Sequence, residues 1–275
     1  MTARASAAAR RADTPTGARE TATYLYCLVR SKTAPSSARA PRSIPGGGPV
    51  RVVPVGDSVW LVVSDAPLAR YGDDAIHHAW QDLRWVSTVA MAHEAVVERF
   101  RSAAALLPVK LFTLFASDER AVMEMRRARR RLERLLDRVA GREEWGLRVL
   151  VDEAHAVARA RRKAARPARL DSGTSFLLLK KAERDVKAHV RADAVRAANE
   201  LYVRLVREAD DARRRDLSGV ESVTLLVDAA FLVRTSRARR FQATARRAAQ
   251  RLAGEGYLVT LSGPWPAYSF VGARS

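Results

Sequence analysis

The nearest approach to a metal site in this sequence is the pair His93-Glu94. A metalloprotease helix carries a second histidine four residues further on, so that two imidazoles share one face. Position 97 is Val97, so His93 reads as a packed core histidine and Glu94 as a helix-surface carboxylate. His77 and His78 are adjacent, and neighbouring side chains on a regular helix or strand diverge too far to hold one ion. The glycines Gly46, Gly47 and Gly48 run into Pro49 and a strand, so no helix N-terminus is ready to take a phosphate, and no GxxxxGK[ST] loop occurs. Ser172-Gly173 and Ser218-Gly219 lack the strand-turn-helix frame of a hydrolase nucleophile. No catalytic, cofactor-binding or metal residue is assigned, no cofactor is expected, and the chain is not read as an enzyme. The thirty acidic residues keep open a third reading, a site assembled from distant carboxylates.

Recognition is the remaining chemistry. Gly263-Pro264-Trp265-Pro266-Ala267-Tyr268-Ser269-Phe270 sets two prolines around a tryptophan, which fixes backbone angles and presents Trp265, Tyr268 and Phe270 on a rigid segment. The segment suits either of two roles: closing a core and covering a sheet edge, or anchoring a partner. The other candidate contacts are Arg127, Arg131 and Arg134. They belong to the run Arg127, Arg130, Arg131, Arg134 and Arg138 opposite the apolar stripe Val122, Met125, Leu132, Leu135, Leu136 and Val139, a pattern that places the arginines in solvent. The stretches 126–138 and 159–169 contain no Phe, Tyr or Trp, whereas single-strand binders add aromatic stacking platforms. Nonspecific nucleic-acid binding is therefore the alternative reading, not the first.

These residues need elements to hold them. Residues 1–22 have no hydrophobic period and read as a disordered leader. Thr23 to Arg30 reads as a buried strand, 31–49 as a long loop rich in proline and glycine, and Val50 to Val55 with Ser58 to Ser64 as a hairpin about Gly56-Asp57. Val86, Val89, His93, Val96, Phe100 and Ala103 predict a helix from Arg84 to Leu107, stopped by Pro108. Val109 to Phe115 follows as a strand, then a helix capped by Ser117 and running to Gly141. A domain boundary is placed near residue 142.

Beyond it, Trp145 to Val151 is strand-like, and 152–165 is polar and basic, closed by Pro167. Ser172 to Asp211 predicts one very long helix, whose opening TSFLLLK also suits a strand. Val223 to Asp228 and Ala230 to Val233 read as two short strands, Ser236 to Ala253 as a helix on Phe241, Ala245, Ala248 and Leu252, and Tyr257 to Ser262 as a last strand. That order is ferredoxin-like. The fold class is α+β in two domains: 23–142, mixed α+β, and 143–275, ferredoxin-like with one long helix and the aromatic, proline-bearing tail.

The chain has 275 residues, 48% hydrophobic, enough for a sizeable core. No apolar run is long enough to span a bilayer and no secretory signal opens the sequence, so a cytoplasmic location without membrane contact is expected. The single Cys27 excludes an intrachain disulfide and suits a reducing compartment. A net charge of +19 points to an anionic partner or to compositional drift. Only six of the 49 basic residues are lysine, and the abundance of arginine with alanine is the bias of a GC-rich coding sequence.

Leu261-Ser262-Gly263-Pro264-Trp265-Pro266-Ala267-Tyr268-Ser269-Phe270 resembles the TGPWPPYSF ending of the GvpF/GvpL gas vesicle proteins. Tyr24-Leu25-Tyr26 resembles the family's opening strand, Trp85 with His93-Glu94 its HE helix, and Leu107-Pro108-Val109-Lys110 its LPVRFGT strand. Trp145 to Val149 and Ala229 to Val233 stand in the expected order. The resemblance covers residues 23 to 272. Leu111 and Phe112 replace the family's phenylalanine and glycine, and Pro266-Ala267 its second Pro-Pro, which puts in question any role that depends on glycine's backbone freedom at position 112. The resemblance implies a non-enzymatic assembly or minor structural component of gas vesicles, with the small hydrophobic shell protein GvpA and other accessory proteins as partners.

Overall fold

The computed structural model describes residues 20–163, 173–217 and 224–271. The leader through Arg19, and Pro167, Ser172, Ser218 and Gly219, lie outside them. Two antiparallel sheets organise the chain. The first contains β1 (Thr21–Arg30), β2 (Arg51–Pro54), β3 (Val59–Pro67), β4 (Ala105–Pro108) and β5 (Leu114–Phe115), in the order β2-β3-β1-β4 with β5 also on β1. Short helices α1 (Leu68–Tyr71) and α2 (Asp73–Ala79) lead into α3 (Leu83–Arg99). After β5 come α4 (Asp118–Arg127) and α5 (Arg129–Val139).

Strand β1 is buried from Ala22 to Val29 because both faces of its sheet are covered. Tyr24, Tyr26, Cys27 and Val29 pack with Val89, Val96 and Val97 of α3. Leu25 and Leu28 pack on the other side with Ala121, Leu136 and Val139 of α4 and α5. The register shift between Leu25 and Cys27 turns Tyr26 and Cys27 to the same side, as an inserted residue does. The 31–49 segment forms no strand or helix, yet it is anchored: Ile44 is buried, its N–H donates to the Tyr26 hydroxyl at 3.1 Å, and the Tyr71 hydroxyl donates to the Pro45 carbonyl at 3.0 Å.

Several sequence expectations are corrected in this half. The first strand starts at Thr21, two residues inside the expected leader. Helix α3 ends at Arg99, and 105–108 pairs with β1 instead of continuing it. A strand sends Leu106 to one buried face of the sheet and Leu107 to the other, which a longer helix could not do. The expected strand 109–115 is interrupted by a turn in which Thr113 Oγ1 donates to the Lys110 carbonyl at 2.7 Å. The helix expected to reach Gly141 breaks at Ala128, and Arg126 Nε at the end of α4 donates to the Val55 carbonyl at 2.8 Å. Phe112 keeps a left-handed backbone, φ 61°, which costs a bulky residue about 1–3 kcal/mol. Its ring stacks on Trp85 at 5.5 Å and meets Trp80 edge-on at 5.5 Å. Each such contact contributes about 0.5–1.5 kcal/mol, enough to offset the strain, so the conformation survives without glycine.

The second sheet holds β6 (Arg142–Val151), β7 (Asp211–Arg214), β8 (Leu225–Arg234) and β9 (Tyr257–Trp265) in the order β7-β8-β6-β9. Helices α6 (Glu153–Lys163) and α7 (Gly173–Val206) join β6 to β7, and α8 (Ala238–Ala253) joins β8 to β9. This is the ferredoxin-like arrangement. Its two hairpin strands are β7 and β8; from Leu225 on, the expected pair 223–228 and 230–233 lies in the single strand β8, and Val223 is outside the described residues. TSFLLLK is helical. Trp145, Leu147, Val149, Phe231 and Val233 face Ala194, Ala198, Leu201 and Leu205 of α7 and Phe241, Ala245, Ala248 and Leu252 of α8. Both long helices lie on one side of the sheet, so its other face stays largely uncovered. The final helix, α9 (Tyr268–Val271), packs back on the first half, where Phe270 and Ala267 join Leu25, Leu28 and Leu107 in one core that also takes Leu232 of β8.

His93 lies buried in the first core, its Nδ1 2.9 Å from the Tyr24 hydroxyl. Burial lowers its pKa from 6.5 to about 4. The unfolded chain thus takes up this proton below about pH 6.5 and the native state only near 4, so stability falls as pH drops through that window, by up to about 3 kcal/mol. Urea denaturation of the wild type and His93→Gln at about pH 7 and about pH 4.5 should show the larger acid loss in the wild type. Equal losses would remove His93 as the cause.

Candidate protein-interaction face

Strand β9 carries the chain toward the tail through Gly263, whose φ of +119° and 2.7 Å approach of a notional Cβ to the Glu144 carbonyl leave room for no side chain. Pro266 and Ala267 are buried, and α9 then inserts between two carboxylates. Tyr268 donates its hydroxyl to Glu94 Oε2 of α3 at 2.6 Å. Ser269 donates its N–H to Glu144 Oε2 at 2.8 Å and its hydroxyl to Glu144 Oε1 at 2.6 Å, on β6. Burial raises the pKa of both carboxyls, and the donated hydrogen bonds pull each partly back down. The Tyr268 phenol is also raised by burial and by its bond to Glu94. Phe270 is wholly buried between the guanidinium groups of Arg138 at 6.0 Å and Arg213 at 5.4 Å from its ring centre.

The tail is therefore a clasp. As a partner contact Phe270 is corrected, because its ring is inside the core, and Tyr268 has its hydroxyl committed to Glu94. Trp265 alone of the three stays 46% exposed. The other expected contacts lie elsewhere. Arg131 and Arg134 are exposed on α5, and Arg127 on α4 pairs with Glu124 at 2.9 Å. None of them meets the tail. Arg138, expected in solvent, instead pairs with Asp211 and covers Phe270. Arg213 was not visible as a site residue because β7 itself is polar and carries no apolar alternation.

Trp265 stands at one end of the open face of the second sheet. Across that face, Ser262, Gly146, Ala230 and Arg213 form one row, and Thr260, Arg148 and Asp228 the next. The small side chains at the centre leave a trough of about 660 Å³. Its charged border is not balanced: Arg148 at 3.5 Å and Arg215 at 2.8 Å share the one carboxylate of Asp228, and both guanidinium groups are mostly exposed. The arrangement offers a shallow, weakly apolar floor, an aromatic anchor and excess positive charge, which is equipment for holding a chain. Among the described residues no cluster of three His, Cys, Asp or Glu could hold a metal, and no helix is long and apolar enough to cross a membrane.

The clasp and the rim should separate in mutagenesis. Phe270→Ala is expected to cost about 3–5 kcal/mol in urea denaturation. Ser269→Ala should cost about 1–3 kcal/mol, because it removes a donor to a buried carboxylate. Trp265→Ala should stay below about 1 kcal/mol. A large loss at Trp265 with little at Phe270 would reverse the assignment.

The fold and its tail have relatives. Gas vesicle protein L of Streptomyces sp. (strain CB03234) is 32% identical over 238 residues, 82% of this chain and 85% of that protein. Gas vesicle protein L2 of Halobacterium salinarum is 28% identical over 264 residues, 90% of each. The crystal structure of gas vesicle protein GvpF from Anabaena sp. PCC7120 superposes with a TM-score of 0.67 at 15% identity, covering 93% of this chain and 98% of that one. GvpF from Microcystis aeruginosa gives a TM-score of 0.64 at 14% identity, covering 92% and 99%. At those identities the two structures show a shared fold. The family model described as gas vesicle synthesis protein GvpL/GvpF matches residues 22–272, and the chain belongs to that family.

Proposed function

We propose that this chain is a non-catalytic assembly factor that binds the gas vesicle shell protein GvpA, with other accessory proteins, in the cytoplasm, and that the open face of the second sheet is the contact. The observation that carries the reading is that face itself. It is left uncovered by both long helices, floored by Gly146, Ala230 and Ser262, and flanked by the exposed Trp265. A small hydrophobic subunit aggregates unless its apolar surface is covered before placement. A trough with one aromatic anchor and a polar, basic border suits transient cover, because it offers contact area without a large exposed apolar patch of its own. We also read 23–142 and 143–275 as two domains, joined by the α9 clasp so that the face has a fixed support.

Retention of co-expressed GvpA on the purified chain, with nuclease present, tests this at about 0.3 M salt, where exposed charges are largely screened. Ser262→Arg, which fills the trough from an exposed position, and Trp265→Ala should each lower retention about tenfold or more. The triple variant Arg127→Ala, Arg131→Ala, Arg134→Ala should retain GvpA. Unchanged retention in both trough variants would overturn the face. Loss of GvpA with nucleic acid held at low salt and released as salt rises would favour the charge-driven alternative.

A further inference from the structure

The solvent side of α3 departs from the rest of the molecule. In a chain with 29% charged residues, the exposed positions between Arg84 and Glu98 are Ser87, Thr88, Met91 and Ala95. None of them is charged. Met91 is 67% exposed and Leu83, on the flank of the same face, 76%; Trp80, just before the helix, is 53% exposed. These are large apolar groups held in water on a helix that buries Val89, His93, Val96 and Val97 on its opposite side.

Arg84, Met91 and Glu98 follow one another at seven-residue intervals, so they line the centre of one stripe. Arg84 and Glu98 stand about 10 Å on either side of Met91. No ion pair engages Arg84 among the described residues. Glu98 holds Arg101 at 2.7 Å and remains 47% exposed.

We propose that this face is a self-association surface, through which two copies of the chain pair α3 against α3 antiparallel about a two-fold axis at Met91. The stripe is its own complement under that operation. Met91 meets Met91 of the second copy, the small residues Thr88 and Ala95 let the helices approach, and Arg84 of each copy reaches Glu98 of the other. A two-fold interface requires this kind of self-matching. Two molecules of charge +19 repel over most of their surfaces, and an uncharged helix face with opposite charges at its two ends is where they can approach. The rival apolar surface, Val195 and Val203 on α7, is edged by Arg196, Arg204 and Arg207 with Glu200 as its one acid, and two copies of it would set arginines against arginines. A single helix pair is a small interface, so the dimer is a weak one with a Kd in the micromolar range, about 1–100 μM.

Sedimentation equilibrium of the full chain, from about 5 to about 200 μM, spans that range. The wild type should pass from monomer to dimer. Met91→Glu should remain monomeric with an unchanged melting temperature, since the position is exposed. Arg84→Glu and Glu98→Arg should each weaken the dimer about tenfold, and the double swap should restore it to within about threefold of the wild type. The swap also covers the case in which Met91→Glu disturbs the fold. A wild type that stays monomeric throughout, a dimer that persists in Met91→Glu, a swap that fails to rescue, or loss of the dimer in Val203→Glu would each overturn the proposal.

Discussion

The structure depends on two carboxylates, from distant parts of the chain, that accept hydrogen bonds from the last helix. Glu94, half-buried, belongs to the first half and Glu144, buried, to the second, and burial raises the pKa of both. An unpaired buried acid is costly, and removing its hydrogen-bond donors costs the full desolvation penalty. Tyr268 and Ser269 meet both acids from adjacent positions, so the tail cannot leave one without exposing the other to the same loss. Phe270 fills the space between, in a core shared by Leu25 and Leu28 of the first sheet and Leu232 of the second. The halves are thus held by a short polar and aromatic clasp, around a core that neither would complete alone.

The clasp also explains what is left open. The first sheet is covered on both faces, by α3 on one side and α4, α5 and α9 on the other, so β1 can be apolar along almost its whole length. The second sheet is covered by α7 and α8 on one face only, and the tail reaches just the end of the other, at Glu144 and Leu232. Beyond that reach the side chains shrink to Gly146, Ala230 and Ser262, and the backbone prolines hold Trp265 at the border instead of folding it inward. Exposure and closure therefore share one continuous segment: Trp265 stays at the border of the open face, and Tyr268 to Phe270 close the core.

Much of this was legible where a local pattern carries the information. The apolar run of β1, the stripe of α3 and the face of α8 follow from spacing alone, as does most of α7, which ends at Val206 and not at the expected Asp211; the turn chemistry of 31–49 marks the loop. What was hidden depends on distant partners. Asp211 stands at the expected end of the long helix and no element is expected over 212–214, yet Asp211 to Arg214 becomes strand β7 because β8 supplies the ladder. Leu106 and Leu107 continue the helical stripe on paper, and only the two-sided burial of the first sheet makes them a strand. The tail motif was conspicuous, but its partners Glu94 and Glu144 stand 174 and 125 residues away from Tyr268 and Ser269. No spacing rule connects them, so the sequence does not separate Trp265, which stays exposed, from Phe270, which is buried, and Tyr268, whose hydroxyl is held by Glu94.

Charge shows the same division between composition and position. The arginine excess invites a single explanation, yet individual arginines have separate work. Arg51 grips Asp118 through two nitrogens, at 3.0 and 2.8 Å, and ties β2 to the start of α4. Arg142 and Arg234 share Asp210 beside β7, and Arg138 holds Asp211 in it. These pairs fasten the polar edge strand that apolar burial alone would not secure. Exposed ion pairs add little individually, and several converging on one short strand fix its register more than they stabilise the fold. The remaining guanidinium groups leave the molecule strongly positive, so that like copies repel over most of their surfaces. Against that background the informative surfaces are the ones with the charge removed. The floor of the open sheet, Gly146, Ala230 and Ser262 inside a charged border, and the exposed stripe Ser87, Thr88, Met91 and Ala95 of α3 are two such stretches, set into a surface that is otherwise dense in charge.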